Sequence, residues 1–154
     1  MNSTSDTAGK HSFSLRPNHC GISVPDIESG IAWYGKMLGF EVKSRMAVET
    51  LRAEIAFLSN GDFQIELFEV TDAKPLPEGA RSPNLDLQTH GTKHIAFAVK
   101  DLEELVAYLK SHDADIAMDV SQMPDGKVAF IRDNAGILIE LIEPGALVKR
   151  RTNG

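Results

Sequence analysis

Along this chain apolar residues fall first at every second position, then at every third or fourth, then again at every second, and the whole cycle occurs twice. In HCGISV, from His19 to Val24, the residues Cys20, Ile22 and Val24 form one row and His19, Gly21 and Ser23 the other. Successive side chains of a strand point to opposite faces, so one face is apolar and the other carries a histidine among small residues. The stretch DIESGIAWYGKMLGF then sets Ile27, Ile31, Tyr34 and Leu38 at helical spacing. Asp26 can cap its first turn, and Gly39 stands where a left-handed C-terminal cap belongs. Further on, HIAFAV sets Ile95, Phe97 and Val99 against His94, Ala96 and Ala98, and DLEELVAYLKSHD carries Leu102, Leu105, Val106 and Leu109 behind a capping Asp101. Strands are therefore expected over 17–24 and 92–99, each followed by a helix.

The recurrence extends further. AFLSNGDFQIEL, from Ala56, resembles AFIRDNAGILIEL, from Ala129, and the one-residue difference in length is what a turn can absorb. The chain reads as two copies of a unit of about 75 residues, the distance from His19 to His94. After each helix come three extended stretches, with Asn60-Gly61, Asp125-Gly126 and DNAG as hairpin turn chemistry, although 48–52 carries no clear turn residue. The order strand, helix, strand, strand, strand places module one at 17–70 and module two at 92–144 of a single domain. The linker 71–91, with three prolines and two glycines, is expected to lack secondary structure. Residues 1–16 and 145–154 read as tails, the first of them disordered.

The last strand of each unit repeats the two-row division. Phe63, Ile65 and Leu67 oppose Gln64, Glu66 and Phe68; Ile137, Ile139 and Leu141 oppose Leu138, Glu140 and Ile142. Each Glu shares the face opposite the apolar row, as each His does in its own strand. If the modules meet about a pseudo-twofold axis, His19, Glu66, His94 and Glu140 can point to one centre. Two imidazoles and two carboxylates form a ligand set for a divalent ion; zinc, nickel, cobalt, manganese and iron all accept it. The alternative is an ordinary solvent face of antiparallel strands. Repetition of the same residue types in both copies, beside Phe68, Leu138 and Ile142, favours the metal reading.

Charge and composition narrow the ligand. A net charge of −6, without a Lys/Arg stripe, argues against nucleic acid, and no apolar run is long enough to span a bilayer, which leaves a small molecule as the expected partner. The N-terminal segment does not read as a secretory signal, and the one cysteine, Cys20, excludes an internal disulfide, so cytoplasm is the expected location.

The segments HCGISVPDIESGIAWYGKMLGFEV, GDFQIELFE, GTKHIAFAVKDLEEL and FIRDNAGILIELIEP resemble the vicinal oxygen chelate superfamily, whose members include glyoxalase I, methylmalonyl-CoA epimerase, extradiol dioxygenases and bleomycin resistance proteins. The resemblance covers 17–144. It implies an α+β fold of two βαβββ modules forming a cupped eight-stranded mixed sheet, with helices on the outer face. His19, Glu66, His94 and Glu140 match the four metal-ligand positions, and homodimers are common in the superfamily. Four filled positions are similar to glyoxalase I or methylmalonyl-CoA epimerase, which implies an isomerase, epimerase or lyase acting on a substrate with two chelating oxygens through a metal-stabilised enediolate.

Glu140 is then the first candidate for the base and Glu66 the second. The epimerases place a further carboxylate near the end of the second strand, where this chain has Thr50 with Glu49 beside it. An iron-dependent ring-cleaving dioxygenase using His19, His94 and Glu140 is one alternative; a non-catalytic binding or resistance protein is another. His11, His90 and His112 are expected on the surface, Trp33 and Tyr34 in packing, Cys20 as a small buried apolar group, and Gln64 as a possible pocket residue beside Glu66.

Overall fold

The computed structural model describes residues 16–145; the expected tails, including His11, lie almost wholly outside that span. Module one consists of β1 (His19–Ser23), α1 (Ile27–Leu38), β2 (Glu41–Val48), β3 (Ala53–Asn60) and β4 (Phe63–Val70). After α2 (Pro83–Asp86), module two repeats it as β5 (Ile95–Ala98), α3 (Leu102–Ser111), β6 (Asp115–Met123), β7 (Gly126–Arg132) and β8 (Leu138–Pro144). The α+β class and the two βαβββ modules are as the residues predict. The eight strands are hydrogen-bonded as two four-stranded mixed sheets, β1-β4-β3-β2 and β5-β8-β7-β6, rather than as one continuous ladder. In each sheet the first strand runs parallel to the last, because the intervening helix carries the chain back across the sheet, and the other pairings are antiparallel.

The linker is not devoid of structure. A 3₁₀ turn at Glu78–Arg81 leads into α2, where Pro83 occupies the first turn. Proline is compatible with that position because the N–H it lacks would have no helical partner. The strand expected over 92–99 is shorter, and ahead of it the Lys93 ammonium turns back to Asp86, donating to its backbone carbonyl at 2.8 Å and its carboxylate at 3.1 Å. Between β2 and β3 the turn is a 3₁₀ segment, Glu49–Leu51, closed by Arg52 in the left-handed conformation at φ 52°. Glu49 and Thr50 therefore sit exposed on a helical turn, where strand alternation does not apply.

The helices α1 and α3 start in the same way. Asp26 accepts from the Ser29 N–H at 2.6 Å and Asp101 from the Glu104 N–H at 3.0 Å. A second carboxylate reaches each helix from the last strand of its own sheet: Glu69 accepts from the Ile27 N–H at 2.7 Å and Glu143 from the Leu102 N–H at 2.9 Å. Two N–H groups that the helix leaves unpaired thus gain acceptors of the charge its dipole favours. Gly39, at φ 68°, ends α1 as expected.

The apolar rows lie where the alternation places them. Ile22, Val24, Ile65 and Leu67 of module one, and Leu102, Val106, Leu109, Ile139 and Leu141 of module two, are buried in one core. Each such side chain contributes about 1.5–3 kcal/mol by leaving water. The modules share that core directly: the Phe97 ring lies 5.9 Å from Phe40 and 5.5 Å from Phe63.

Candidate metal centre

In module one, Gly21 of β1 is the register partner of Glu66 in β4, and His19 stands two positions earlier on the same face. In module two, Ala96 is the partner of Glu140, with His94 again two positions earlier. Equal registers produce equal geometry. His19 Nε2 lies 3.2 Å from Glu66 Oε2, and His94 Nε2 lies 3.0 Å from Glu140 Oε2. Phe57, the cross-strand partner of Glu66, meets the His19 ring edge-on at 5.7 Å, and Phe130, the partner of Glu140, meets His94 at 5.1 Å.

The one-residue difference between the copies is taken up by the turns. Gly61-Asp62 joins β3 to β4, whereas Asp133–Ile137 joins β7 to β8, and both Phe–Glu registers are preserved. The alternation does not mark Phe57 and Phe130, but both stand in the repeated Ala-Phe that opens the matching segments.

Each site residue is part-exposed, with 38% of the His19 side chain, 17% of Glu66, 29% of His94 and 21% of Glu140 accessible. Asn18 Oδ1 lies 2.6 Å from His19 Nδ1. A carbonyl oxygen there favours the tautomer with the proton on Nδ1, which leaves a lone pair on the nitrogen that faces Glu66. An imidazole nitrogen and a carboxylate oxygen thus face one another at 3.2 Å in module one. That donor set fits a divalent ion. The structure gathers the four expected ligands as two pairs, one per module. Among the described residues no group of three or more His, Cys, Asp or Glu side chains converges as a metal cluster.

Gly21, in the small row beside His19, opens less space than the alternation suggests. A side-chain carbon at Gly21 would fall 3.0 Å from the Phe68 ring, which already covers that position. The larger space lies to one side. A cavity of about 590 Å3 runs along β1 and beside His94, roofed by linker residues 73–77 and walled by Ala135 and Ile137.

Other candidates resolve differently. Gln64 is the register partner of His19 and is half-buried. Trp33 is half-buried against Tyr34, and Tyr34 is fully buried. Cys20 packs against the core and also lines the cavity, and burial pushes its thiol above the usual range. His90 is exposed; His112 is half-buried at the end of α3, against Tyr108. No helix among the described residues is long and apolar enough to cross a membrane.

Comparison with known proteins gives a consistent family. Residues 16–141 match the family described as Glyoxalase/Bleomycin resistance protein/Dioxygenase superfamily. The chain is 30% identical to the Escherichia coli (strain K12) protein YaeR, over 82% of this chain and 94% of that protein. It is 28% identical to the mitochondrial methylmalonyl-CoA epimerase of Homo sapiens, over 82% of this chain and 72% of that enzyme. Among solved structures it is similar to the trypanothione-dependent glyoxalase I of Leishmania major, with a TM-score of 0.69, 26% identity, and coverage of 89% of this chain and 92% of that one.

Proposed function

Because the chain belongs to the Glyoxalase/Bleomycin resistance protein/Dioxygenase superfamily, we propose that it is a divalent-metal-dependent isomerase, epimerase or lyase of the glyoxalase I or methylmalonyl-CoA epimerase kind. The observation that carries this reading is the duplicated pair: His19 with Glu66 and His94 with Glu140, each with imidazole nitrogen and carboxylate oxygen in facing contact. These four residues would hold the ion. Bound there, zinc, nickel, cobalt, manganese or iron would supply electrophilic stabilisation to two oxygens of the substrate.

The chain's own groups do the rest. Glu140, part-exposed beside His94, takes the proton from the carbon next to a substrate oxygen and returns it; Glu66 is its symmetric counterpart. Phe57 and Phe130 fix the two imidazole rings and keep water from one side of each.

Two half-sites in one chain, each lacking two ligands, support a further element of the reading. The centre is completed by a second copy of the chain, so that the working form is a homodimer with a site made from module one of one copy and module two of the other. A soluble cytoplasmic location, where Cys20 stays a thiol, goes with this reading.

Metal analysis of the purified protein, followed by proton exchange in deuterated water, tests the proposal. Hemithioacetals of 2-oxoaldehydes and 2-methyl acyl thioesters are the substrates to screen. Deuterium should enter at the carbon beside the chelating oxygens, and chelation should stop it. Near-normal exchange in both Glu140→Gln and Glu66→Gln would refute the assignment. Oxygen uptake with catechols would replace it with ring cleavage, and ligand binding without turnover would replace it with sequestration.

A further inference from the structure

Seven of the twelve lysines and arginines among the described residues have an acidic partner. Among the described residues, Lys43, Arg45, Arg52, Lys93, Lys110, Lys127 and Arg132 each form a salt bridge. Lys74 and Arg81 form none with a described residue, and both line the cavity beside His94. The other charged groups on its wall are Lys93 and Asp86, which neutralise one another at 3.1 Å. The cavity is therefore a positive pocket in a chain of net charge −6.

Arg81 is held in position. Its guanidinium lies over Gly136, where a side-chain carbon would fall 2.3 Å from a guanidinium nitrogen. Its backbone carbonyl accepts from Arg132 Nε, while the Arg132 guanidinium is itself engaged by Asp115 at 2.7 Å. A half-buried guanidinium fixed at a cavity wall without a carboxylate partner retains its unspent donors for a ligand.

We propose that this cavity binds the anionic group, a carboxylate or a phosphate, of a small-molecule ligand, with Arg81 as its specificity-determining contact and Lys74 as an auxiliary one. His94 is the one residue of the two His–Glu pairs that lines this cavity, so an anionic arm held there ends beside the second pair. The inference deepens the proposed function by stating the charge of its substrate; the word substrate rests on that reading, and the anion binding does not. A volume of about 590 Å3 suits a metabolite rather than a macromolecular chain.

The test is calorimetric titration of full-length protein, stripped of metal by chelation and then desalted, with inorganic phosphate and separately with malonate. Removing metal ensures that a bound ion is not what the anion finds. Saturable binding of at least one probe is expected, and which one binds separates phosphate from carboxylate ligands. Arg81→Gln should weaken binding about tenfold or more, and Lys74→Gln about threefold. Lys36→Gln and Lys100→Gln, which remove cations outside the cavity, should leave it unchanged.

If Arg81→Gln does not fold, Arg81→Lys, which keeps charge but loses the planar fork, takes its place beside Lys74→Gln. Absence of saturable binding, or weakening as large in Lys36→Gln as at the cavity positions, overturns the proposal. A protein that holds anions in this way yet never binds metal would sink the proposed chemistry and leave this site standing. One that holds metal but no anion would do the reverse.

Discussion

Tyr34 on α1 donates its hydroxyl to Asp133 Oδ2 at 2.9 Å in the buried interior, joining two residues 99 positions apart and with them the two modules. Asp133 Oδ1 meanwhile accepts from the N–H groups of Ala135 at 2.9 Å and Ile137 at 2.8 Å, so the same side chain shapes the β7–β8 turn. Tyr34→Phe keeps the ring and leaves one carboxylate oxygen without its buried donor. A loss of about 1–3 kcal/mol is expected in urea unfolding, and Asp133→Ala should cost more because it also strands two N–H groups and the tyrosine hydroxyl.

The same carboxyl sets a pH dependence. Burial pushes Asp133 above the usual carboxylate range, with its hydrogen bonds opposing that shift only in part. The native chain therefore binds this proton more tightly than the unfolded chain does. Its contribution to stability falls as pH rises from the ordinary carboxylate value through the raised one. Urea midpoints of wild type and Asp133→Asn across that interval should show the wild type losing ground to the variant as pH rises. Parallel profiles would show that the carboxyl is not perturbed.

The carboxylates that reach the helices from the sheets lead to a third expectation. Glu69→Ala and Glu143→Ala each remove the acceptor at the first N–H of a helix, the former from Ile27 and the latter from Leu102. Each should cost about 1–2 kcal/mol of unfolding free energy, with Glu69→Gln costing less because the amide oxygen still accepts. Equal losses in the Gln and Ala variants would place the effect in charge alone.

What could be read from the residues alone follows from the range of each interaction. Rows such as Ile22 and Val24, or Ile139 and Leu141, and the caps at Asp26 and Asp101 depend only on neighbours within a strand or a turn, and they were legible. Local pattern misleads where a distant partner intervenes. Lys93 ties the chain ahead of β5 to Asp86, Phe68 covers the space that Gly21 leaves, and Pro83 starts a helix in a linker rich in turn residues. Within a module, alternation and register place His19 beside Glu66 and His94 beside Glu140. How two modules dock is set by side-chain packing such as Phe97 against Phe40, which carries no periodic signature.

That docking supports the most discriminating expectation. Among the described residues the His19–Glu66 and His94–Glu140 pairs stand as two separate pairs, so the proposed centre completed between copies should tolerate defects placed in different modules. His19→Ala and His94→Ala proteins should each lose metal and turnover. Unfolded together in equal amounts and refolded, they form mixed dimers in half of the population. Every mixed dimer has one site with both histidines missing and one with all four ligands intact. Recovery to about a quarter of the wild-type activity and metal content is expected, from statistical pairing of the two copies. A centre built within one chain can recover nothing by mixing, because no chain in the mixture has both histidines. Metal content measured on the refolded mixture separates the two outcomes without requiring the substrate to be known.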